Sequence, residues 1–291
     1  MSLTLLLHQR YQKCEANPTY MQLQCAPSCY TCHLIDFEQR CPYDPEAPTA
    51  LNSGDLQKLF VNLTTLPEFT QYEPKIHSMP QPTLPNVQEG PWVVTLENFL
   101  TDIECETLIA LGAVEGYKIS QDVGKKKFDG TYEGLINKYR TSTNAWCKDA
   151  CFDDPVTQQV LQKIEHVTGI PDQNSEYLQL LRYEVGQFYQ QHHDYIPHHI
   201  ERGEGVRILT VFLYLNDVDA GGGTDFPLLN ITVMPKRGKA LIWPSVLNDS
   251  PNLKDGRTDH QALPVEAGIK YGANAWVHQK DFKEVFKRSC H

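Results

Sequence analysis

The chain has 291 residues, 41% of them hydrophobic and 21% charged, with a formal net charge of −10. That composition is ordinary for a globular protein, and the acidic excess argues against nucleic acid or an anionic membrane surface as the main partner. No apolar run approaches the ~18 residues of a membrane-spanning helix, so no membrane span is expected.

The N-terminal "MSLTLLLHQR" carries an apolar run of five, Leu3 to Leu7, shorter than the roughly 7–15 of a signal-peptide core. Five of the nine cysteines (Cys14, Cys25, Cys29, Cys32 and Cys41) fall within residues 1–41. Such density points to disulfides or zinc. Only His33 lies near Cys29 and Cys32, and no second C-x-x-C follows at zinc-finger spacing, which favours disulfides and a secretory compartment, the endoplasmic reticulum lumen. The sequons at Asn62, Asn230 and Asn248 agree, although Pro251 weakens the third. Residues 42–91 are proline-dense and read as an extended linker with one short helix near Leu56–Leu63. The main domain is expected over 92–291.

"TDIECETLIALGAVE" reads as a helix, with Thr101 and Glu104 spaced for a capping box and Ile103, Leu108 and Leu111 supplying one apolar face. "DDPVTQQVLQKIEHVTG" reads as another. Asp154 caps it, Pro155 opens its first turn, Gly169 stops it, and Val156, Val160, Ile164 and Val167 form a stripe. After Asn174 the pattern turns to short strands: "EYLQLLRYEV", "QFYQQHHDY", "RILTVFLYLND", "ITVMP", "KALIWPSV" and "KYGANAWVHQ", with "DAGGGTDFP" as a turn into an edge strand. Helices followed by six or more strands predict an α+β domain with a sandwich or jelly-roll core.

"LLRYEVGQFYQQHHDYIPHH", Leu180 to His199, crowds four histidines around one aspartate. On a strand, residues two apart share a face, so His192 and Asp194 project together while His193 points away. His260 in "RTDHQALPV" is the candidate third ligand. Two histidines and one carboxylate frame a non-haem Fe(II) with open positions, whereas an H-x-D pair alone is common without metal. His198 and His199 read as solvated loop residues. Lys270 either snorkels outward or points inward at an anion such as a carboxylate.

Five motifs then stand in register: Y-x-x-G-Q-x-Y-x-x-H-x-D from Tyr183, R-x-x-T from Arg207, G-G-x-T-x-F-P from Gly221, H-x-x-x-P-V-x-x-G-x-K from His260, and W-x-H from Trp276. In this order they closely resemble the catalytic domain of prolyl 4-hydroxylases, Fe(II)- and 2-oxoglutarate-dependent dioxygenases, and look more like the plant, algal and protist enzymes than the vertebrate collagen type. The resemblance implies a double-stranded β-helix, a jelly roll, flanked by helices. It implies Fe(II) held by His192, Asp194 and His260, and 2-oxoglutarate held by Lys270 with Tyr183 and Thr224. It implies peptide binding by Arg140, Ser142, Glu176, Tyr189, Arg207, Trp276 and His278. The implied reaction is C4 hydroxylation of proline in a proline-rich or collagen-like polypeptide with O2, releasing succinate and carbon dioxide, with ascorbate as auxiliary reductant. Arg140 and Arg207 read equally as salt-bridge partners. Lysyl hydroxylation is the enzymatic alternative, although lysyl hydroxylases use arginine where Lys270 stands. A non-catalytic peptide-binding protein is the other.

The glycine- and lysine-bearing segment Tyr117 to Arg140 reads as a solvated loop or a mobile lid over the peptide groove. "CEANPTYMQLQCAPSCYTC" looks like the second half of a ShK-type toxin module that lacks its first two cysteines, which creates the expectation of a chain beginning upstream. That resemblance implies a Cys14–Cys29 pair and leaves Cys25 or Cys32 for Cys41. Cys147 and Cys151 are expected to close a small loop, and Cys105 to pair with Cys290.

Overall fold

The computed structural model of the protein describes residues 14, 21, 26–82, 85–126 and 132–290. Its helices are α1 (Ala26–Cys29), α2 (Phe37–Arg40), α3 (Asp55–Thr65), α4 (Asp102–Glu115), α5 (Asp149–Phe152), α6 (Pro155–Thr168) and α7 (Phe282–Lys287). A nine-stranded sheet runs in the order β2 (Gln88–Glu89), β1 (Pro74–Met79), β3 (Val93–Leu96), β14 (Ala240–Pro244), β10 (Arg207–Tyr214), β17 (Lys270–His278), β8 (Gln179–Tyr183), β7 (Thr143–Trp146) and β4 (Lys118–Ile119). A four-stranded sheet, β13 (Ile231–Val233), β12 (Thr224–Phe226), β15 (His260–Ala262) and β9 (Tyr189–His192), packs on one face of it. Two short pairs remain, β11 (Ala220–Gly221) with β16 (Val265–Ala267), and β5 (Asp122–Lys126) with β6 (Tyr132–Leu135).

The strand period sorts side chains between two cores. On β10, Leu209, Val211 and Leu213 join α3, α4 and α6 in the helix-side core, while Phe212 and Tyr214 face the small sheet. On β17, Ala273, Ala275 and Val277 face the helices. The alternation therefore assigns Lys270, Asn274, Trp276 and His278 to the inter-sheet face. This is the expected jelly roll flanked by helices.

The two anticipated helices form. Thr101 and Glu104 complete the capping box, and Glu104 also pairs with Lys163 on α6 at 2.7 Å. Ile103 departs from its expected inward face and is exposed, because Cys105, Leu108 and Gly112 carry the buried stripe. On α6, Asp154 accepts the Val156 N–H, and Gly169 at φ 67° turns the chain out of the helix.

The segment expected as a linker is built into the core from Leu51 onward. Leu56, Phe60 and Leu63 at i, i+4 and i+7 bury one face of α3, roughly 1.5–3 kcal/mol each. Phe60 stacks on Trp92 at 5.5 Å. β1 then pairs antiparallel with β3, adding an edge to the large sheet. The prolines bound these elements rather than dissolving them.

Cys14–Cys29 and Cys147–Cys151 are bonded as expected. Cys41 bonds Cys290, which corrects both its expected N-terminal pairing and the expected Cys105–Cys290 bridge. Cys105 is a buried free thiol, packed in the helix-side core, and Cys32 is free and exposed. Most of the toxin-like stretch, including Cys25, lies outside the described residues. No helix among the described residues is long and apolar enough to cross a membrane.

Candidate active site

β9 and β15 lie antiparallel with His192 opposite His260, which sets their rings 4.3 Å apart. Asp194 sits just past the end of β9, with its Oδ2 3.6 Å from His260 Nε2. One ligand atom from each of the three falls within 4.8 Å of the others, the one such group among the described residues. His193 turns away and bonds Asp255 O and Thr258 Oγ1, as the strand period predicts.

The hydrogen bonds prepare this triad for a cation. His192 Nδ1 lies 2.8 Å from Gln190 O, and His260 Nδ1 3.0 Å from Thr258 O. A carbonyl only accepts, so each Nδ1 carries its proton and each Nε2 presents a lone pair inward. Burial, reinforced by His260, pushes His192 down to about 3, which keeps the ring neutral. Burial would raise the Asp194 carboxyl, but His260, His192, Arg207 and the Thr210 hydroxyl outweigh it and hold it below the ordinary range. Two imidazoles and one carboxylate converging at one place fit a divalent Fe ion.

Lys270 is 1% exposed. Its Nζ donates to Gly222 O at 2.7 Å and lies 5.2–5.5 Å from the ring centres of Tyr183, Phe212 and Tyr214. It makes no ion pair among the described residues, and burial lowers it to about 7. Gly222 adopts φ +70°, and a Cβ there would meet Lys270 Cδ at 3.3 Å. A buried lysine with no counter-charge fits the carboxylate of a small acid. Tyr183 pairs in register with Lys270 across β8 and β17. Thr224 Oγ1, on the opposing sheet, accepts from Tyr214 Oη at 2.7 Å.

A cleft of about 540 Å³ opens beside the triad. Arg140, Glu176, Tyr189, Arg207 and Trp276 line it, as expected. Tyr189 stacks on His192 at 3.6 Å, and the Arg140 guanidinium lies 4.7 Å from the Tyr189 ring centre. Arg207 lies 3.9 Å over Trp276 and bonds Glu176 Oε1 at 2.6 Å. The salt-bridge reading of the arginines is the one seen: Arg207 is paired with Glu176 and Arg140 lies 3.8 Å from Asp122, both at the cleft wall.

Ser142 and His278 depart from their expected substrate contacts. Both are fully buried behind the cleft wall, where Ser142 bonds Ser120, and His278 bonds Gly205 O and Glu176 Oε1. His278 supports Glu176 rather than touching a ligand. His198 and His199 are half-buried rather than fully solvated. They line the cleft, and His199 stacks on His278 at 5.5 Å.

The sequence reading passed over Gln179, whose Oε1 accepts from Arg140 at 2.7 Å and Asn274 at 3.3 Å. Alternation on β8, which puts Gln179 on the same face as Leu181 and Tyr183, was the available signal. The segment expected as a loop or lid folds as the β5–β6 hairpin, with 127–131 outside the described residues. Asp122 on this hairpin accepts from Tyr189 Oη at 2.9 Å, and Gln121, Glu133 and Gly134 line the cleft.

Comparison with known proteins agrees with this geometry. The sequence profile of the 2OG-Fe(II) oxygenase superfamily matches residues 178–278. Prolyl 4-hydroxylase subunit alpha-2 of Gallus gallus is 34% identical over 205 residues, 69% of this chain and 36% of that protein. Probable prolyl 4-hydroxylase 8 of Arabidopsis thaliana is 33% identical over 213 residues, 66% of this chain and 70% of that protein. Animal and plant proteins thus match equally well, and the plant-like leaning is not singled out. The chain spans little more than a third of the animal subunits. The crystal structure of a viral collagen prolyl hydroxylase from Paramecium Bursaria Chlorella virus-1, in its 2OG complex, superposes with a TM-score of 0.52 at 27% identity, covering 66% of this chain and 98% of that one.

Proposed function

Because the chain belongs to the prolyl 4-hydroxylase family of 2OG-Fe(II) oxygenases, we propose that it hydroxylates proline at ring C4 within a proline-rich or collagen-like polypeptide. The observation that carries this reading is the pairing of two features in one barrel: a two-histidine, one-carboxylate face and a buried lysine without a counter-charge among the described residues. Fe(II) bound with 2-oxoglutarate supplies the oxidation, in which one oxygen atom of O2 enters succinate as carbon dioxide leaves and the other enters the proline ring.

The chain's own residues do the positioning. Lys270 receives the distal carboxylate of 2-oxoglutarate, with Tyr183 and Thr224 closing the polar end of an otherwise aromatic chamber. His192, Asp194 and His260 hold the metal. Tyr189 and Trp276 offer ring faces to an extended substrate whose polyproline II form is already ordered. Arg140 and Arg207 direct N–H groups at its carbonyls. The buried barrel excludes water from the reacting atoms.

Ascorbate is the expected reductant for iron oxidised in turnovers that miss the peptide. Its omission should shorten the linear phase of the reaction. The disulfides and the exposed sequon residues Asn62 and Asn230 support residence in the endoplasmic reticulum lumen. Glycosidase-sensitive mass and immunolocalisation test that. The reaction itself is tested by mass spectrometry of a proline-rich peptide, and of a matched lysine-containing one, after incubation with Fe(II), 2-oxoglutarate and O2. One added oxygen on proline, lost in Lys270→Ala, supports the reading. Succinate-free incubations with both peptides unchanged would sink it.

A further inference from the structure

The cleft has a second lobe beyond the metal triad, lined by Trp146, Lys148, Tyr177 and Phe286. Its aromatic surface is continuous with the triad end, since Trp146 lies 6.2 Å from Trp276, which carries Arg207 on its face. Lys148 follows β7 directly and starts the turn closed by Cys147–Cys151, with its C=O accepting from Cys151 N at 3.0 Å. Its backbone is therefore fixed.

Its head group rests on aromatic rings. Lys148 Nζ lies over Phe286 at 4.2 Å, Trp146 at 5.7 Å and Tyr177 at 5.8 Å. Each arginine of the cleft has a carboxylate: Arg140 has Asp122 at 3.8 Å, and Arg207 has Glu176 at 2.6 Å. Lys148 forms no ion pair among the described residues, although it is half-buried. A lysine held against three rings can stay there on cation–π attraction alone. Burial nevertheless disfavours its charge by more than the nearby Asp149 and Glu176 carboxylates favour it, and an incoming anion relieves the remaining cost.

The sheet sets the distance. Thr210, which bonds Asp194, is on β10, and Lys148 follows β7, with β17 and β8 between them. Three strand spacings of ~4.8 Å give about 14 Å. A polyproline II chain rising ~3.1 Å per residue crosses that in about four to five residues.

Resting on the proposed reaction, we propose that this lobe is a second substrate-reading subsite, in which Lys148 pairs with an Asp or Glu side chain about four to five residues from the reacting proline. Trp146 and Tyr177 hold the ring faces of the residues between. The protein thus selects proline-rich segments punctuated by acids over uniformly neutral ones.

The test is a set of fluorescently labelled proline-rich peptides with one glutamate placed at each position from two to seven on either side of the target proline, and glutamine counterparts. Binding to the full chain is read by anisotropy and hydroxylation by mass spectrometry. Glutamate at about four to five residues, on one side, should tighten binding by about fivefold over glutamine, and the gain should shrink with added salt. Lys148→Gln should flatten the profile, and Lys148→Glu should invert it and favour lysine at the same position. A flat profile in the wild type, or an unchanged one in Lys148→Gln, overturns the subsite. Binding with the glutamate preference but no hydroxylation would overturn the proposed reaction and leave the subsite standing.

Discussion

Thr210 Oγ1 donates to Asp194 Oδ2 at 2.6 Å, from the inward face of β10 to the carboxylate between the two candidate histidine ligands. The bond orients the carboxylate whose Oδ2 lies 3.6 Å from His260 Nε2, the nitrogen that would face a cation. Removing such an outer partner typically costs about 10–100-fold in metal affinity. Thr210→Val, nearly isosteric, should therefore fold normally and bind Fe(II) or a Co(II) substitute about tenfold more weakly. A metal titration followed by the Co(II) absorption spectrum reads this, and an unchanged dissociation constant would show the hydroxyl to be only packing.

Lys270 makes co-substrate binding depend on pH with a definite sign. Burial lowers it from 10.5 to about 7, and a bound carboxylate favours the ammonium form. Binding above pH 7 must then take up a proton, so 2-oxoglutarate affinity should fall by roughly tenfold per pH unit. Calorimetry in two buffers of different ionisation enthalpy measures that uptake directly. Without co-substrate the sign for stability is opposite. Between about pH 7 and 10.5 the unfolded chain holds this proton and the folded one does not, so this group makes the fold more stable as pH rises. Lys270→Met should raise the thermal midpoint of the free protein and abolish the shift that 2-oxoglutarate produces.

Glu176, Arg207 and His278 act as one unit. Arg207 and His278 outweigh the burial of the Glu176 carboxyl and hold it far below its ordinary range. Glu176→Gln leaves the Arg207 guanidinium, only 14% exposed, without a counter-charge. The cost should be about 3 kcal/mol in denaturant unfolding. The double variant Glu176→Gln with Arg207→Leu should recover part of that stability while peptide KM stays high. Recovery of both together would remove Arg207 from substrate binding.

Cys41–Cys290 ties the N-terminal module to the last residues of the chain across a separation of 249. Closing so long a loop restricts the unfolded ensemble strongly, and losing the bond should cost about 2–4 kcal/mol. Cys41→Ser with Cys290→Ser should show that loss in the unfolding midpoint while the metal affinity of the barrel is retained.

The metal face was legible in the sequence because it depends on local geometry: a two-residue strand period selects His192 and Asp194 over His193. Lys270 stood out as a charge inside an apolar strand. The two long helices announced themselves through Thr101, Asp154 and Gly169. What stayed hidden depended on distant chain. Leu56, Phe60 and Leu63 sat in a proline-dense stretch whose composition resembles a linker, and only their packing against Trp92 and the large sheet reveals a core. Cys41 could not be matched to Cys290 by spacing, since pairing follows tertiary approach. His198 and His199 looked solvated because the ring that partly covers them, His278 against His199, comes from distant β17.

In the proposed reaction this barrel delivers one oxygen atom of O2 to a peptidyl proline. Incubation with heavy-isotope dioxygen, Fe(II), 2-oxoglutarate and a proline-rich peptide tests it most directly, with tandem mass spectrometry of the peptide and of succinate. One heavy atom on C4 of proline and one in succinate is the predicted result. Succinate formed without label on proline, or hydroxyproline carrying oxygen from water, would contradict the account.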